Sequence, residues 1–369
     1  MILSNYWNSA WRSLTKKKGF SAINIVGLAI GMAAALLILT YVAFEYSYDD
    51  IHTRQDRIFR VEARFFENGE LTDDWASSSA GYATAMKQNM SGIEDYTRVG
   101  SQYYPEQVVK YNELLYRETG IGYAEANFFN FFDFKLLKGN KENCLDGPNK
   151  VVITERIAHK YFKGENPIGK ILIFRSNIGE EACEVTGIME DMPVNTHVRY
   201  SLLISYKTLP KWMDEYWYRH EVYSYVLLKS ANLKTQVEDN FPEMAEKYKT
   251  EEALKNRAWA IQLTNLRDIH LNSQKAYEPE VKGNRSSIWV LICTALAILC
   301  IAWINYINMT VARSMERAKE IGIRRASGAS RRQVVFQFLF ESLVTNSIAF
   351  ILAVGLMEAL MPSFNNQTG

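Results

Sequence analysis

The chain has 369 residues, a length suited to about two domains. Its formal net charge is +1, which excludes a globally basic nucleic-acid binder, and no nucleic-acid partner is expected. The near-neutral total hides a segregation: residues 1–19 carry four basic groups and no acidic one, residues 311–332 carry +5, and residues 45–285 carry −6.

In chain order, residues 1–18 form an expected amphipathic, interfacial helix, with Ile2, Leu3, Tyr6, Trp7, Ala10, Trp11 and Leu14 on one apolar stripe. A cleaved signal peptide is the other reading. It fails because the apolar run that follows is too long for such a leader and lacks a clear small-residue cleavage site. Residues 19–44 are 26 residues without a charge, enough for a first transmembrane span, where about 20 suffice. Lys16 to Lys18 set the N-terminus on the cytoplasmic side. Gly27 and Gly31 have the small-xxx-small spacing that lets another helix approach closely; tolerated glycines in a lone span are the plainer alternative.

Residues 45–285 read as a large extracytoplasmic domain of mixed α+β type. Strands are expected at 57–66, 151–153, 171–174, 184–188 and 223–228, and helices at 80–90, from the Thr154 cap to Phe162, and at 233–248, where Pro242 is expected to divide the helix. Strand order is not readable. Cys144 and Cys183 lie in this segment, either as a disulfide or as free thiols. No cluster of Cys and His has metal-ligand spacing, so no metal is expected. His159, His197, His220 and His270 are scattered without a nucleophile motif, so catalytic residues are expected to be absent. Gly164 to Lys170 (GENPIGK) imitates the front of a phosphate-binding loop. Ile171 stands where a metal-binding Ser or Thr is required, and Pro167 removes a backbone donor, so a turn is expected instead.

Residues 286–312, again uncharged for 27 residues, form the second span; Asn305 and Asn308 near its inner end either bond across helices or sit at the interface. The basic stretch 313–332 then reads as a short, stiff cytoplasmic helix. Gly328 is placed to end it, and Ser330 with Gln333 is a capping-box pattern opening the next helix. Residues 333–361 form the third span, with Glu341 near its inner end. That carboxylate either pairs with an arginine of the basic loop or is an interfacial acid without a specific role. Residues 362–369 are expected as an extracytoplasmic tail.

The run RSMERAKEIGIRRASGASRRQVVFQFLFES, carrying Lys319, Glu320, Ile321, Gly322, Ile323, Arg324, Arg325, Gly328, Ala329, Phe338, Leu339 and Glu341, resembles the signature of the FtsX-like permeases, membrane subunits of MacB-type ABC transporters. Ser327 departs from it, since a larger apolar residue is common there. VVITERIAHKYFKGENPIGKIL, CEVTGIMEDMPVNTHV and EANFFNFFDFKLLKGN resemble the MacB-like periplasmic core domain. The expected fold class is a membrane protein with α-helical transmembrane spans and a large α+β extracytoplasmic domain, placed in the bacterial inner membrane as a multi-pass chain with a cytoplasmic N-terminus. The resemblance implies a permease subunit that is not itself an enzyme and binds no cofactor. A separate cytoplasmic ABC ATPase would bind ATP and dock on Arg317, Glu320, Ile321, Gly322, Ile323, Arg324, Arg325, Gly328 and Ala329. ATP hydrolysis would then move the periplasmic domain by mechanotransmission, for export or for lipoprotein or peptide handling. A non-transport membrane scaffold regulating an external cell-wall hydrolase is the alternative. Further expected partners are membrane lipid, a second copy or a tandem second half, and a periplasmic adaptor or client. The family's unit has four spans and the fourth is missing here, so the chain is expected to be a truncated permease or its N-terminal half.

Overall fold

The computed structural model describes residues 7, 11–12, 14–15, 18–100, 106–176, 179–214, 217, 219–249, 257–278, 282–312, 318, 321–323, 325–328 and 330–368. The chain forms two compact units, Met1–Tyr46 with Arg285–Gly369, and Ser47–Asn284.

The first unit is helical. Three of its helices, α1 (Lys18–Tyr46), α7 (Arg285–Ala312) and α8 (Arg331–Thr368), are long and apolar enough to cross a membrane. Their shared core is built from small residues: Leu28, Ala29 and Ala33 of α1, Ala302 of α7, and Ala349 and Ala353 of α8. Alanines let helix backbones approach closely, and that packing holds apolar helices together where lipid offers no hydrophobic driving force. Large side chains such as Trp303, Ile307, Phe336 and Leu339 point outward. Residues 362–368, expected as a tail, instead continue α8 through Pro362 to Thr368.

Among the described residues, the second unit is built on one mixed sheet of 13 strands: β1 (Ile58–Glu67), β2 (Glu70–Trp75), β3 (Ile93–Gly100), β4 (Glu106–Tyr111), β5 (Leu114–Thr119), β6 (Ile121–Ala124), β7 (Leu136–Lys138), β8 (Lys150–Thr154), β9 (Ile171–Ser176), β10 (Gly179–Met189), β11 (Leu202–Ser205), β12 (Val222–Leu228) and β13 (Ala258–Asn265). Their order is β13-β1-β12-β3-β6-β11-β8-β10-β9-β4-β5, with β2 on β1 and β7 on β10. The pairs β6–β11 and β8–β10 are parallel. The helices are α2 (Ala80–Asn89), α3 (Phe128–Phe131), α4 (Glu155–Phe162), α5 (Lys234–Glu246) and α6 (Leu266–Asn272).

Three cores fasten these helices to the sheet. Tyr82 and Met86 of α2 and Val237, Phe241 and Met244 of α5 pack with Phe65, Trp259 and Ile261. Ile157, Tyr161 and Phe162 of α4 pack on Val151, Ile153 and Val185. Phe128, Phe129, Phe131, Phe132 and Phe134 join Tyr225 and Val152 in the third. The first of these explains why Pro242 does not divide α5, contrary to the sequence expectation. Val237, Phe241, Met244 and Ala245 form one buried stripe; Val237, Phe241 and Met244 each contribute roughly 1.5–3 kcal/mol, together enough to outweigh the one backbone bond that proline removes. The N-cap at Thr154 forms as its position suggests, its hydroxyl accepting from Ile157 N at 3.4 Å. Cys144 and Cys183 are free thiols, both buried.

Candidate functional site

Within the first unit, the stretch between α7 and α8 is the candidate coupling site. Of its expected residues, Arg317, Glu320, Arg324 and Ala329 lie outside the described residues. Ile321, Gly322 and Ile323 are helical, and so is Arg325. Ser327 N–H donates to Ile323 O at 3.0 Å and Gly328 N–H to Arg325 O at 3.1 Å, closing the last turn. Gly328 has φ +92°, a left-handed value that glycine adopts without the Cβ penalty, so it stops this helix. The next begins at once: Ser330 N–H donates to Gln333 Oε1 at 2.9 Å, and Gln333 N–H to Ser330 Oγ at 3.4 Å. That reciprocal pair is a capping box. It fixes where α8 starts and therefore where the loop ends. The face offered to solvent is apolar and basic: Ile323 is 61% exposed, Arg325 is exposed, and nothing lies within 4 Å of the Gly322 Cβ position.

Gly31 of α1 meets Ala302 of α7, where an added Cβ would come within 2.7 Å of the alanine's own. At Gly27 a Cβ would lie 3.5 Å from the Asn305 amide nitrogen. Glu341 is buried in α8 and lines a cavity with Ser21 and Asn24 of α1.

In the second unit the two segments that lead into and out of the sheet are each pinned by buried polar groups. The entry segment is held at Asp49, a fully buried residue with φ +61°. Its N–H donates to Asn195 O at 2.9 Å, and Asn195 Nδ2 donates to Ser47 O at 3.0 Å. Its carboxylate accepts from Thr196 Oγ1 at 2.7 Å and from His197 N at 3.1 Å. His197 Nδ1 lies 2.9 Å from Asp49 Oδ2, and Nε2 lies 3.0 Å from the Tyr225 hydroxyl. Burial alone would raise the Asp49 pKa. The charge of His197 and the hydrogen bonds from His197 and Thr196 outweigh it and hold the carboxyl below its usual range. So the NTH of the stretch MEDMPVNTHV has a physical task, which is to clasp the chain as it leaves α1. An aspartate–histidine–tyrosine row sealed from solvent fits a structural clamp, since no substrate can reach it.

The exit segment is held by Arg60 of β1, which is fully buried. Its guanidinium grips Glu278 with two bonds of 2.7 Å, Glu62 at 2.8 Å and Ser273 at 3.0 Å. Glu62 also accepts from Thr264, and Lys275 pairs with Asp74 and Glu62. Burial works against the arginine's charge, but Glu62 and Glu278 outweigh it and keep Arg60 protonated. Removing one partner from such a network leaves a buried charge, a loss of about 3–5 kcal/mol.

The remaining sequence candidates do not converge. His220 faces the Tyr82 hydroxyl at 3.1 Å, and His270 stacks on Tyr48 with centroids 3.4 Å apart. His159 is exposed. Among the described residues no group of three or more His, Cys, Asp or Glu could hold a metal ion. Burial pushes the Cys144 thiol up to about 11 and the Cys183 thiol up to about 12, so neither is a nucleophile. In the GENPIGK loop, Glu165, Gly169 and Lys170 spend their N–H groups on Phe162, Val185 and Pro167 carbonyls. Donors so committed do not form a phosphate cradle. Sequence reasoning missed Asp49, Arg60 and Glu278, whose partners lie far away in the chain. It also missed Ser21 and Asn24, which had a readable signal: two polar residues three apart in an uncharged run.

Comparison with known proteins agrees with this organisation. The model of the MacB-like periplasmic core domain matches residues 21–243, and that of the FtsX-like permease C-terminal matches residues 292–369. The chain belongs to the MacB/FtsX-like ABC permeases. It is therefore a membrane protein with an extracytoplasmic domain, and it carries permease segments of that family. This permease is 24% identical to a probable syringafactin export ATP-binding/permease protein of Pseudomonas syringae pv. tomato, over 96% of this chain and 50% of that one. It is 27% identical to the macrolide export ATP-binding/permease protein MacB of Neisseria meningitidis serogroup A, over 69% of this chain and 38% of that one. It thus spans half or less of the length of these relatives. A domain of a Porphyromonas gingivalis protein described as a permease shares its fold over 62% of this chain and 96% of that one, at TM-score 0.52 and 21% identity.

Proposed function

We propose that this permease couples ATP hydrolysis by a separate cytoplasmic ABC ATPase to movement of its sheet domain, serving export or the handling of lipoproteins or peptides. Residues 1–18 and the loop 313–332 face the cytoplasm, and Ser47–Asn284 faces the periplasm. The observation that carries the reading is the helical Ile321, Gly322, Ile323 and Arg325, exposed at the last three, followed by left-handed Gly328 and the Ser330–Gln333 capping box. A short, stiff element with an apolar and basic face is suited to a groove on a partner. Its end at Gly328 is sharply defined, which distinguishes it from a slack tether. ATP is bound by the partner, and the permease itself holds no cofactor. The other expected site residues, Arg317, Glu320, Arg324 and Ala329, lie in the same basic stretch of the sequence.

The buried clasps at Asp49 and at Arg60 support the second half of the proposal. They fix the two segments through which the chain enters and leaves the sheet, so a pull along either segment reaches the strands and does not dissipate in a loop. A second copy or a tandem half is the proposed partner within the membrane, and a periplasmic adaptor or client the proposed partner outside it.

The test is retention of the ATPase. Like charges placed at an interface cost several kcal/mol. Arg324→Glu with Arg325→Glu should therefore abolish recovery of the ATP-hydrolysing subunit with the solubilised permease, while membrane insertion survives. Full recovery of ATPase activity with a correctly inserted double variant removes the docking assignment.

A further inference from the structure

The clasps at Asp49 and Arg60 involve neighbouring strands, and one of these, β12, reaches both. Tyr225 of β12 stands directly across from Arg60 of β1 in their antiparallel pair. Side chains directly opposite lie on the same face of the sheet, with Cβ atoms about 4.5–5.5 Å apart. The Tyr225 hydroxyl lies 3.0 Å from His197 Nε2, and His197 Nδ1 lies 2.9 Å from Asp49 Oδ2. Arg60 in turn grips Glu278 and Ser273 of the exit segment. Asp49, His197, Tyr225, Arg60 and Glu278 therefore follow one another in a single row. The first four are buried, and the Glu278 side chain is 3% exposed.

Two further contacts repeat the connection. Side chains alternate along a strand, so Tyr223 shares a face with Tyr225. Its hydroxyl donates at 2.8 Å to the carbonyl of Tyr277, the residue before Glu278. His270 of α6 stacks on Tyr48 of the entry segment, and its carbonyl accepts from Gly283 N–H of the exit segment at 3.0 Å. Entry and exit thus share contacts at β12 and again at α6. Water does not replace a lost partner inside a sealed row, so displacing one member leaves the next unsatisfied. A shift of one segment alone breaks the row. A shift of both together with β1 and β12 keeps every member paired.

We infer that residues 47–52 and 273–284 are linked through β12 into one cooperative unit, with Tyr225 as the positioning residue that ties the Asp49 clasp to the Arg60 clasp. Opening either segment opens the other, and by linkage the effect runs equally in both directions. This rests on the proposed coupling for its purpose: a pull arriving at residue 47 or at residue 284 is delivered to the same strand pair, β1 and β12.

The experiment is amide hydrogen exchange on the whole chain in nanodiscs, without any ATPase. Its failure therefore leaves the docking assignment standing, and loss of that assignment leaves the linkage standing. Local opening raises exchange only within the unit that opens. Asp49→Asn keeps the side chain's shape and removes its charge. It should raise exchange about tenfold in residues 47–52 and to a similar degree in 273–283, while β4 and β5 at the far edge of the sheet stay protected. Glu278→Gln should act in the reverse direction and raise exchange in 47–52. Tyr225→Phe keeps the ring that packs on Phe132 and removes the hydroxyl. In that background Asp49→Asn should still loosen 47–52, with the rise in 273–283 cut severalfold. If Asp49→Asn does not fold, Thr196→Val deletes one hydroxyl bond to the same carboxylate and is read in the same way. A rise in 47–52 that leaves 273–283 unchanged would show two independent clasps and overturn the inference. A rise of equal size in β4 and β5 would show one global opening and overturn it equally. So would transmission to 273–283 that Tyr225→Phe does not diminish.

Discussion

His52 illustrates how a single side chain ties stability to pH. It is fully buried, its Nδ1 accepts from Asp133 N at 3.2 Å, and its ring stands edge-on to Phe134 at 5.0 Å. Among the described residues its Nε2 has no partner. Burial drives its pKa down to about 4; Asp49 and Asp133 pull it back up, and His197 pushes it further down. An unfolded histidine titrates near 6.5, so between about 6.5 and 4 the unfolded chain binds a proton that the folded one refuses. The contribution is fully present above pH 6.5 and is lost as pH falls toward 4, up to about 3 kcal/mol. Asp49, with its lowered pKa, adds a loss in the same direction at still lower pH. In thermal unfolding of the solubilised protein, His52→Asn should therefore flatten the decline in Tm between pH 7 and pH 4.5. An unchanged slope would mean that His52 is protonated in the fold.

At the scale of elements, packing between α1 and α7 depends on a missing side chain. The Gly31 Cβ position lies 2.7 Å from Ala302 Cβ, closer than two carbons can approach. Gly31→Leu must push α7 away, and overpacking of this kind costs about 1–3 kcal/mol. With cysteines at positions 27 and 305 in a background without other cysteines, a short bifunctional thiol reagent should join the two helices efficiently. Adding Gly31→Leu should lower that yield severalfold. An unchanged yield would show that the two helices tolerate the bulk and that the glycine is incidental. The GENPIGK loop teaches the reverse lesson about motifs. Lys163, with φ +48°, and Gly164, with φ +96°, end α4, and Gly169 N–H bonds to Val185 O, so the glycines serve a turn.

For the whole molecule, charge segregation and topology give a joint expectation. Asn140 and Glu165 are exposed on the sheet unit, and Ser327 is exposed at the end of the coupling helix. With native cysteines removed, including exposed Cys293 and Cys300, cysteines at 140 and 165 should react with an impermeant thiol reagent added to intact spheroplasts, and one at 327 should react only after permeabilisation. Labelling at 327 in intact spheroplasts would invert the proposed orientation.

Sequence alone determined whatever depends on local pattern. Runs of 26 and 27 uncharged residues gave α1 and α7, because hydropathy is a property of contiguous residues. Thr154, Gly328 and the Ser330–Gln333 pair marked helix ends, because caps act within four residues. The order of the 13 strands was not legible, nor was the mixture of parallel and antiparallel pairs, because strand partners such as β1 and β12 are more than 150 residues apart. Pro242 marked a break that the buried Val237–Phe241–Ala245 stripe overrode. The clasps at Asp49 and Arg60 and the cavity at Glu341 were decided only by the tertiary fold. Each consists of ordinary polar residues whose meaning comes from partners brought together across the chain, in surroundings where leaving them unpaired would cost several kcal/mol.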